Sequence, residues 1–119
     1  MINYTDSILT STKKSLGIEK DYNHFDPDLI MHINTVLATL HQLGIGPSEG
    51  FFIEDDGEEW SDLFGDDPRL SFVRTFVHLK VKLAFDPPLS SAHIDALKGQ
   101  ISELEWRISI ATDEKEEEQ

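Results

Sequence analysis

The sequence predicts an all-α protein: a small antiparallel bundle of four to five helices, with an irregular acidic loop and a frayed acidic C-terminal tail. Three observations support this fold class. Apolar residues recur in steps of three and four over residues 29–43 and 94–111. Asp-Pro pairs, which favour helix starts, occur at Asp26 and Asp67. Residues 44–67, between the helical stretches, are first glycine-rich and then acidic, and they contain no convincing strand pattern.

The first two helices are predicted from their start and stop residues. The first runs from about Thr5, has a weakly apolar side and ends before Gly17. In the second, Asp26 suits the N-cap and Pro27 suits the first helical position, while Gly44 marks the end. The second helix has the clear amphipathic spacing of a core-facing surface helix.

The connection that follows the second helix is predicted to be a tight turn. Residues 44–50 contain three glycines and a proline, and glycine is suited to turn positions with positive φ. The stretch lacks the lysine of a phosphate-binding loop, which argues against nucleotide binding. Residues 51–53 are expected to be extended or to anchor the loop to the core, and one or two helical turns are expected around Trp60.

The third long helix is predicted to open at Pro68 and to end at Phe85, before two prolines. Apolar residues cover most of its circumference, so it should be buried on nearly all sides by its own domain or by a neighbouring subunit. Its polar residues, including Arg74 and Lys82, form one narrow stripe.

The last helix is predicted to start near Ser90 or Ser91 and to carry a coiled-coil-like apolar seam. Trp106 and Ile110 lie off that seam, one turn apart. Two interpretations remain open for them. Trp106 is either a core residue that closes the bundle end or an anchor for another subunit or partner, since tryptophan is enriched in interface hot spots. After Thr112 the chain becomes acidic and is expected to fray.

Composition limits the possible functions. A length of 119 residues fits a single domain, assigned here to residues 1–112 with a flexible acidic tail at 113–119. The absence of cysteine excludes disulfides, thiolate catalysis and cysteine-based zinc sites. A net charge of -13 argues against tight nucleic-acid binding. No 18-residue apolar run and no secretion signal are present, so an intracellular protein without a transmembrane helix is expected.

Neither the acidic residues nor the histidines form a recognisable catalytic or metal motif. Nine acidic residues and no lysine or arginine fall in residues 49–67, and the densest part holds Glu54, Asp55, Asp56, Glu58 and Glu59. The order of ligands in an EF-hand is absent, so a solvated acidic turn is the favoured interpretation. No nucleophile accompanies the carboxylates, and the histidines lack ligand spacing. We therefore expect no enzyme activity, no metal and no cofactor.

Four segments together resemble the head-tail connector, or adaptor, proteins of tailed bacteriophages that infect Gram-positive hosts. The resemblance spans about residues 6–110, and its order and spacing are more specific than any one segment. The segments are residues 32–36 (HINTV), 43–51 (LGIGPSEGF), 80–88 (KVKLAFDPP) and 101–107 (ISELEWR).

The resemblance implies a helical virion protein that forms a ring, usually of twelve copies, beneath the portal. Such a ring lengthens the DNA channel and offers a docking face to the next neck or tail-completion protein. In such adaptors the C-terminal region commonly engages the portal, here residues 106–119. DNA would pass through without specific binding, because an acidic lumen has few cations to hold phosphates. The protein would be found in the virion neck, and in the host cytoplasm during assembly.

Two sets of residues are candidates for these contacts. The acidic loop from Glu49 to Asp67 is the candidate for the lumen or an exposed rim. Arg74 and Lys82, which could meet a neighbour's acidic loop, join Trp106 and Ile110 as candidates for subunit or portal contacts. The alternative function is a small acidic regulatory protein, or a DNA mimic, that binds a basic partner. A metal-dependent hydrolase ranks third.

Overall fold

The protein is an all-α bundle, as the sequence predicts. The structure, a computed structural model, describes the backbone of residues 6–117 and the side chains of residues 6–68 and 70–113. Within that part, extended pairing is limited to an isolated antiparallel bridge between Ser7 and Glu59. The described α-helices are α1 (Ile8–Ser15), α2 (Asp26–Gln42), α3 (Trp60–Phe64), α4 (Val73–Phe85) and α5 (Ser91–Glu117).

Helix α4 is the centre of the bundle. It packs against α1, α2 and α5, which explains why its apolar residues cover so much of its circumference. Its own chain provides this cover: Phe76, Val77 and Val81 are all fully buried. The connection from α4 to α5 is only five residues long, so the two helices pack as antiparallel neighbours.

Helices α1 and α2 end in the same glycine-dependent motif. After α2, Gly44 has a φ of +90°, and the Ile45 amide donates to the Leu40 carbonyl at 2.9 Å. After α1, Gly17 has a φ of +78°, and the amide of the next residue returns to the Lys13 carbonyl at 2.8 Å. These are Schellman caps, in which glycine adopts the left-handed conformation and otherwise unpaired carbonyls are satisfied. The predicted stops at both glycines are confirmed.

The start of α2 differs from the prediction. Asp26 is the first helical residue rather than the N-cap, and Phe25 occupies the cap position without a side-chain hydrogen bond. The Asp26 carboxylate instead forms a 2.9 Å ion pair with Lys13, whose side chain is almost completely buried. Because a buried ammonium needs a partner, this long-range pair replaces the local cap. Lys13 also donates to the Lys20 carbonyl at 2.9 Å and so ties down the α1–α2 connection.

Two predicted boundaries near the third and last helices need correction. The Asp-Pro pair at Asp67 opens a 3-10 turn (Pro68–Leu70), and α4 begins only at Val73. The break allows Leu70 to be buried where the turn packs against α5. At the other end, α5 continues to Glu117, beyond the predicted end near Thr112. Residues 118 and 119 of the predicted tail lie outside the described part, as does the predicted start of the first helix at Thr5.

Candidate functional site

The outer surface of α5 exposes an aromatic side chain that the bundle leaves largely uncovered. Residues Leu97, Ile101 and Ile108 of the predicted seam are buried against the core. Trp106 lies off the seam and is 63% exposed, and Ile110, one turn later, is 36% exposed. The interpretation of Trp106 as a core residue is therefore wrong.

Trp106 also forms part of a shallow groove. Together with Ser102, Glu105 and Ser109 it lines a groove of about 290 Å³. We call these four residues and Ile110 the α5 outer surface. Helices present residues three and four apart on one face, so this surface is continuous. The exposed tryptophan is the feature of this surface that is typical of protein interfaces, where aromatic residues are enriched.

The densest part of the acidic loop, residues 54–59, is fixed to the bundle at its N-terminal side by Asn34 of α2. The Asn34 side chain accepts a hydrogen bond from the Ile53 amide at 2.8 Å and donates to the Ile53 carbonyl at 3.0 Å. The Ile53 side chain is buried, so residues 51–53 anchor the loop to the core and form no strand. Asn34 lies in the segment 32–36, one of the four that resemble connector proteins. No local pattern in the sequence indicated that it holds the loop.

Carboxylates within the loop bind its own backbone. Glu58 accepts hydrogen bonds from the amides of Glu54, at 2.8 Å, and Asp55, at 3.4 Å. Asp55 accepts from the Gly57 amide at 2.8 Å. Glu59 begins α3 through a capping box with Asp62. These bonds give the loop a defined shape while Glu54, Asp55 and Asp56 remain exposed to solvent.

The C-terminal side of the loop is held by the start of α1 and by Trp60. The Ile8 amide donates to the Glu58 carbonyl at 3.0 Å, and the Trp60 amide donates to the Asp6 carbonyl at 3.3 Å. The Trp60 indole is fully buried, and its Nε1 donates to Ser11 Oγ at 2.8 Å. The sequence suggested only a helical turn here and did not identify Trp60 as the principal anchor of the loop.

The two cations proposed for intersubunit contacts are paired within the chain. Arg74 forms a 2.6 Å ion pair with Asp6, and its guanidinium lies 5.5 Å from the centre of the Trp60 ring. Lys82 forms a longer pair, 3.7 Å, with Asp86 four residues later, and the Lys82 side chain is 39% exposed. Arg74 therefore has an intramolecular role that the sequence did not indicate, whereas Lys82 is more accessible to a partner.

His78 completes the polar cluster beneath Trp60. Its Nε2 lies 3.5 Å from Ser11 Oγ, and its ring packs edge-on against the Trp60 indole at 5.6 Å. Burial and the nearby Arg74 guanidinium lower the pKa of His78 to about 4, although the Asp6 carboxylate acts in the opposite direction. His78 is therefore neutral near pH 7, and its surroundings are those of a structural residue.

The described side chains do not assemble a metal-binding cluster. Over residues 6–68 and 70–113, no three His, Cys, Asp or Glu side chains converge in a way that would hold an ion. Within residues 6–117, no helix combines the length and apolarity required to cross a membrane. The described surface does present an exposed tryptophan on α5 and a hydrogen-bonded acidic loop. These features are typical of a protein that functions by contact with other macromolecules.

Comparison with known protein families identifies the family to which this contact-forming protein belongs. Residues 8–115 match the family model described as phage connector protein, which covers nearly the whole chain. The chain belongs to the phage connector family, and it is a structural connector protein of the virion neck that contacts other virion proteins. Comparisons with curated proteins and with solved structures gave no significant match.

Proposed function

We propose that this protein is a head-tail connector that assembles as a ring, with twelve copies expected, beneath the portal. The family match over residues 8–115 carries the proposal. The exposed Trp106 and Ile110 support it, because a monomer in water gains nothing from leaving a tryptophan 63% exposed, whereas a contact surface requires such anchors. Residues 106–119 would provide the portal contact, and Lys82 a contact between subunits.

The acidic loop suits the lumen or rim of such a ring. Glu54, Asp55 and Asp56 point carboxylates into solvent from a loop that is held at both sides. Copies of this loop around a ring would create a dense negative surface. DNA would be repelled from it and would slide past, since tight binding requires concentrated lysine and arginine. The protein would therefore lengthen the DNA channel without reading sequence.

The opposite face of the ring would dock the next neck or tail-completion protein. This function needs no catalysis and no cofactor, because the work of a connector is done by binding at two faces. Before the ring forms, the chain would be present in the host cytoplasm. A monomeric free chain is compatible with this order of events if the portal acts as the template for the ring.

The decisive experiment combines the purified chain with purified portal rings and images the product by electron microscopy. The expected result is an additional ring of density at the tail-proximal end of the portal, with about one copy of this chain for each portal subunit. Bovine serum albumin at the same concentration serves as the negative control. Portals that remain bare at chain concentrations of tens of micromolar would overturn the proposal. A competition gel shift with a DNA-binding protein tests the alternative DNA-mimic function.

A further inference from the structure

The solvent-facing side of α2 carries no charged residue over most of the helix. Residues 29–48 contain no Asp, Glu, Lys or Arg, and this is the longest such run in a chain of which 28% is charged. Burial explains the core-facing positions of the run but not the exposed ones. On the face opposite the core, we call four exposed residues the α2 outer surface: Met31, which is 59% exposed, Thr35, Ala38 and Gln42.

The lack of charge on this surface is typical of a protein interface. A surface helix ordinarily places charged side chains on its solvent face. Helix α5 does so, with Asp95, Lys98 and Glu103 among its exposed residues. At the centre of interfaces, in contrast, Lys, Glu and Asp are depleted and Met is enriched. A charge brought against the α2 outer surface would lose water and gain no partner, so the occupant of this surface should be uncharged.

The connection between α4 and α5 provides an uncharged segment with an apolar anchor. Residues 87–94 (PPLSSAHI) form the next longest run without Asp, Glu, Lys or Arg. Within it, Leu89 is fully exposed. Two prolines with fixed φ precede Leu89, and the Ser90 hydroxyl caps α5 after it by accepting from the His93 amide at 3.1 Å. The segment therefore has little conformational freedom to lose when Leu89 docks.

Leu89 and the α2 outer surface can meet only between two copies of the chain. Leu89 is fully exposed, so its own chain does not cover it. Helix α4 packs extensively against both α2 and α5, whereas α2 and α5 make little contact with each other. The α2 outer surface lies on the side of α2 opposite the core, while the connection leads from α4 to α5. Two different, separated surfaces of one chain suit a head-to-tail contact, which closes into a ring when the rotation permits.

The position of this contact agrees with the other contacts proposed for the ring. Lys82, proposed above as a contact between subunits, pairs with Asp86 at the start of the same connection. Trp106 lies 15 residues after the start of α5, about 22 Å along the helix, so residues 106–119 stay available to the portal. The carboxylates of residues 54–56 take no part and remain free for the lumen or rim.

The size of the contact indicates when it would form. The two surfaces offer only a handful of residues each, whereas a stable complex uses roughly 20 to 30 residues on each side. The contact therefore suits subunits that associate once the portal holds them side by side.

We infer that Leu89 of one copy packs on the α2 outer surface of the next copy, between Met31 and Ala38 and over Thr35. This inference rests on the proposed ring function and identifies its repeated subunit contact. Residues spaced four and seven apart on a helix frame a hollow that accepts one side chain from a facing chain. The small side chains of Thr35 and Ala38 leave room in that hollow for a leucine.

Paired charge substitutions test the contact on portal rings. Leu89→Glu and Ala38→Lys should each lower the amount of chain bound to portals about tenfold or more, because each places a charge against an uncharged surface. Leu89→Glu/Ala38→Lys should recover binding to within about threefold of wild type, because the two charges then meet across the contact. Gln100→Glu and Gln100→Lys, at an exposed position of α5 outside the contact, are the charge controls and should bind as wild type does. Circular dichroism of the free variants should match wild type, because residues 38 and 89 are exposed.

Cysteine crosslinking identifies the occupant directly, because the chain has no cysteine of its own. In portal-bound Leu89→Cys/Ala38→Cys, a short bismaleimide should give a ladder of linked multimers of this chain. Gln100→Cys/Ala38→Cys, with one cysteine outside the contact, should give no ladder. Crosslinks from position 89 to the portal in place of the ladder would overturn the inference, as would an equally strong ladder from the control pair.

The failure of this contact can be distinguished from the failure of the ring function. If the wild-type chain forms rings on portals while the single charge variants assemble equally well, the Leu89 contact is refuted and the connector function stands. The same conclusion follows if the double variant remains as deficient as the single variants. If the wild-type chain does not bind portals at all, the ring function and the contact fail together.

Discussion

Replacing Trp106 with alanine separates assembly from folding most clearly. The side chain is 63% exposed, so about a third of its surface is covered in the free chain. A tryptophan buries up to roughly 250 Å², so the covered part is about 90 Å², or about 2 kcal/mol at 25 cal/mol per Å². Alanine regains about 0.5 kcal/mol of helix propensity. The expected net loss in the free energy of unfolding is 1 to 2 kcal/mol, by these estimates.

Trp60→Ala is the matched comparison, since Trp60 and Trp106 are the two tryptophans of the chain. Trp60 is fully buried and donates to Ser11, so its loss should cost about 3 to 5 kcal/mol from the cavity, with about 1 kcal/mol more for the orphaned hydrogen bond. Domains of this size have a total stability of only about 5 to 15 kcal/mol. Trp106→Ala should therefore melt cooperatively about 4 to 8 °C below wild type, whereas Trp60→Ala should be largely unfolded or severely destabilised.

Assembly on the portal, unlike folding of the free chain, should depend strongly on Trp106. Folded Trp106→Ala should bind portal rings at least tenfold more weakly than wild type, as expected for a hot-spot tryptophan. Fluorescence reports the cause: in Trp60→Phe, Trp106 is the remaining tryptophan of the chain, and its emission should shift to shorter wavelength, with less acrylamide quenching, when portals are added. Trp106→Phe provides the control, because the buried Trp60 should not respond. Normal assembly of Trp106→Ala, or a loss of stability as large as that of Trp60→Ala, would refute the reasoning.

Three further substitutions test the anchoring of the loop and the polar cluster. His78 binds its proton with a pKa of about 4 in the folded chain against about 6.5 when unfolded. Protonation of His78 therefore leaves the free energy of unfolding unchanged above pH 6.5 and lowers it by up to about 3 kcal/mol as the pH drops to 4. In urea unfolding, the difference in stability between wild type and His78→Gln should follow that curve. A difference that stays constant with pH would contradict it. Asn34→Ala leaves the Ile53 amide and carbonyl unpaired and should cost about 2 to 3 kcal/mol, with faster amide exchange in the acidic loop; unchanged exchange there would argue against the clamp. Gly46 has a φ of +96°, and a Cβ added there would lie only 3.1 Å from a leucine methyl, whereas a Cβ at Gly17 would meet open space. Gly46→Ala should therefore lower the free energy of unfolding by about 1 kcal/mol more than Gly17→Ala. Equal losses in melting experiments would count against that crowding.

Local patterns in the sequence were sufficient for most of the helical framework. The three- and four-residue spacing predicted α2 and the seam of α5, because burial of one helix face imposes that period. Gly17 and Gly44 were predicted as helix ends because the Schellman cap needs a left-handed residue. The Ser90 hydroxyl, which accepts from the His93 amide at 3.1 Å, likewise confirms the predicted cap of α5.

Interactions between distant residues account for what the sequence did not predict. Asp26 suited a local cap, but the buried Lys13 captures its carboxylate from α1. The periodicity placed Trp106 off the apolar seam, yet it contained no information on what covers that face. The sequence predicted Arg74 on a polar stripe, but its partner Asp6 is 68 residues away in the chain. Such pairings are decided by the packing of α1 against α4, which no spacing rule specifies.

The polar cluster around Trp60 explains how an acidic loop can hold a defined conformation in a protein with so much negative charge. Mutual repulsion favours extension of crowded carboxylates, so a loop of this composition would be mobile if nothing held it. The buried indole opposes this by joining α3 to α1 through Ser11, and Arg74 places a cation beside the ring and bonds Asp6. His78, which packs beneath the indole, is neutral near pH 7. The opposite charges of Arg74 and Asp6 balance each other within the cluster. The loop can therefore present its carboxylates outward in a fixed geometry, as the proposed lumen or rim of a ring requires.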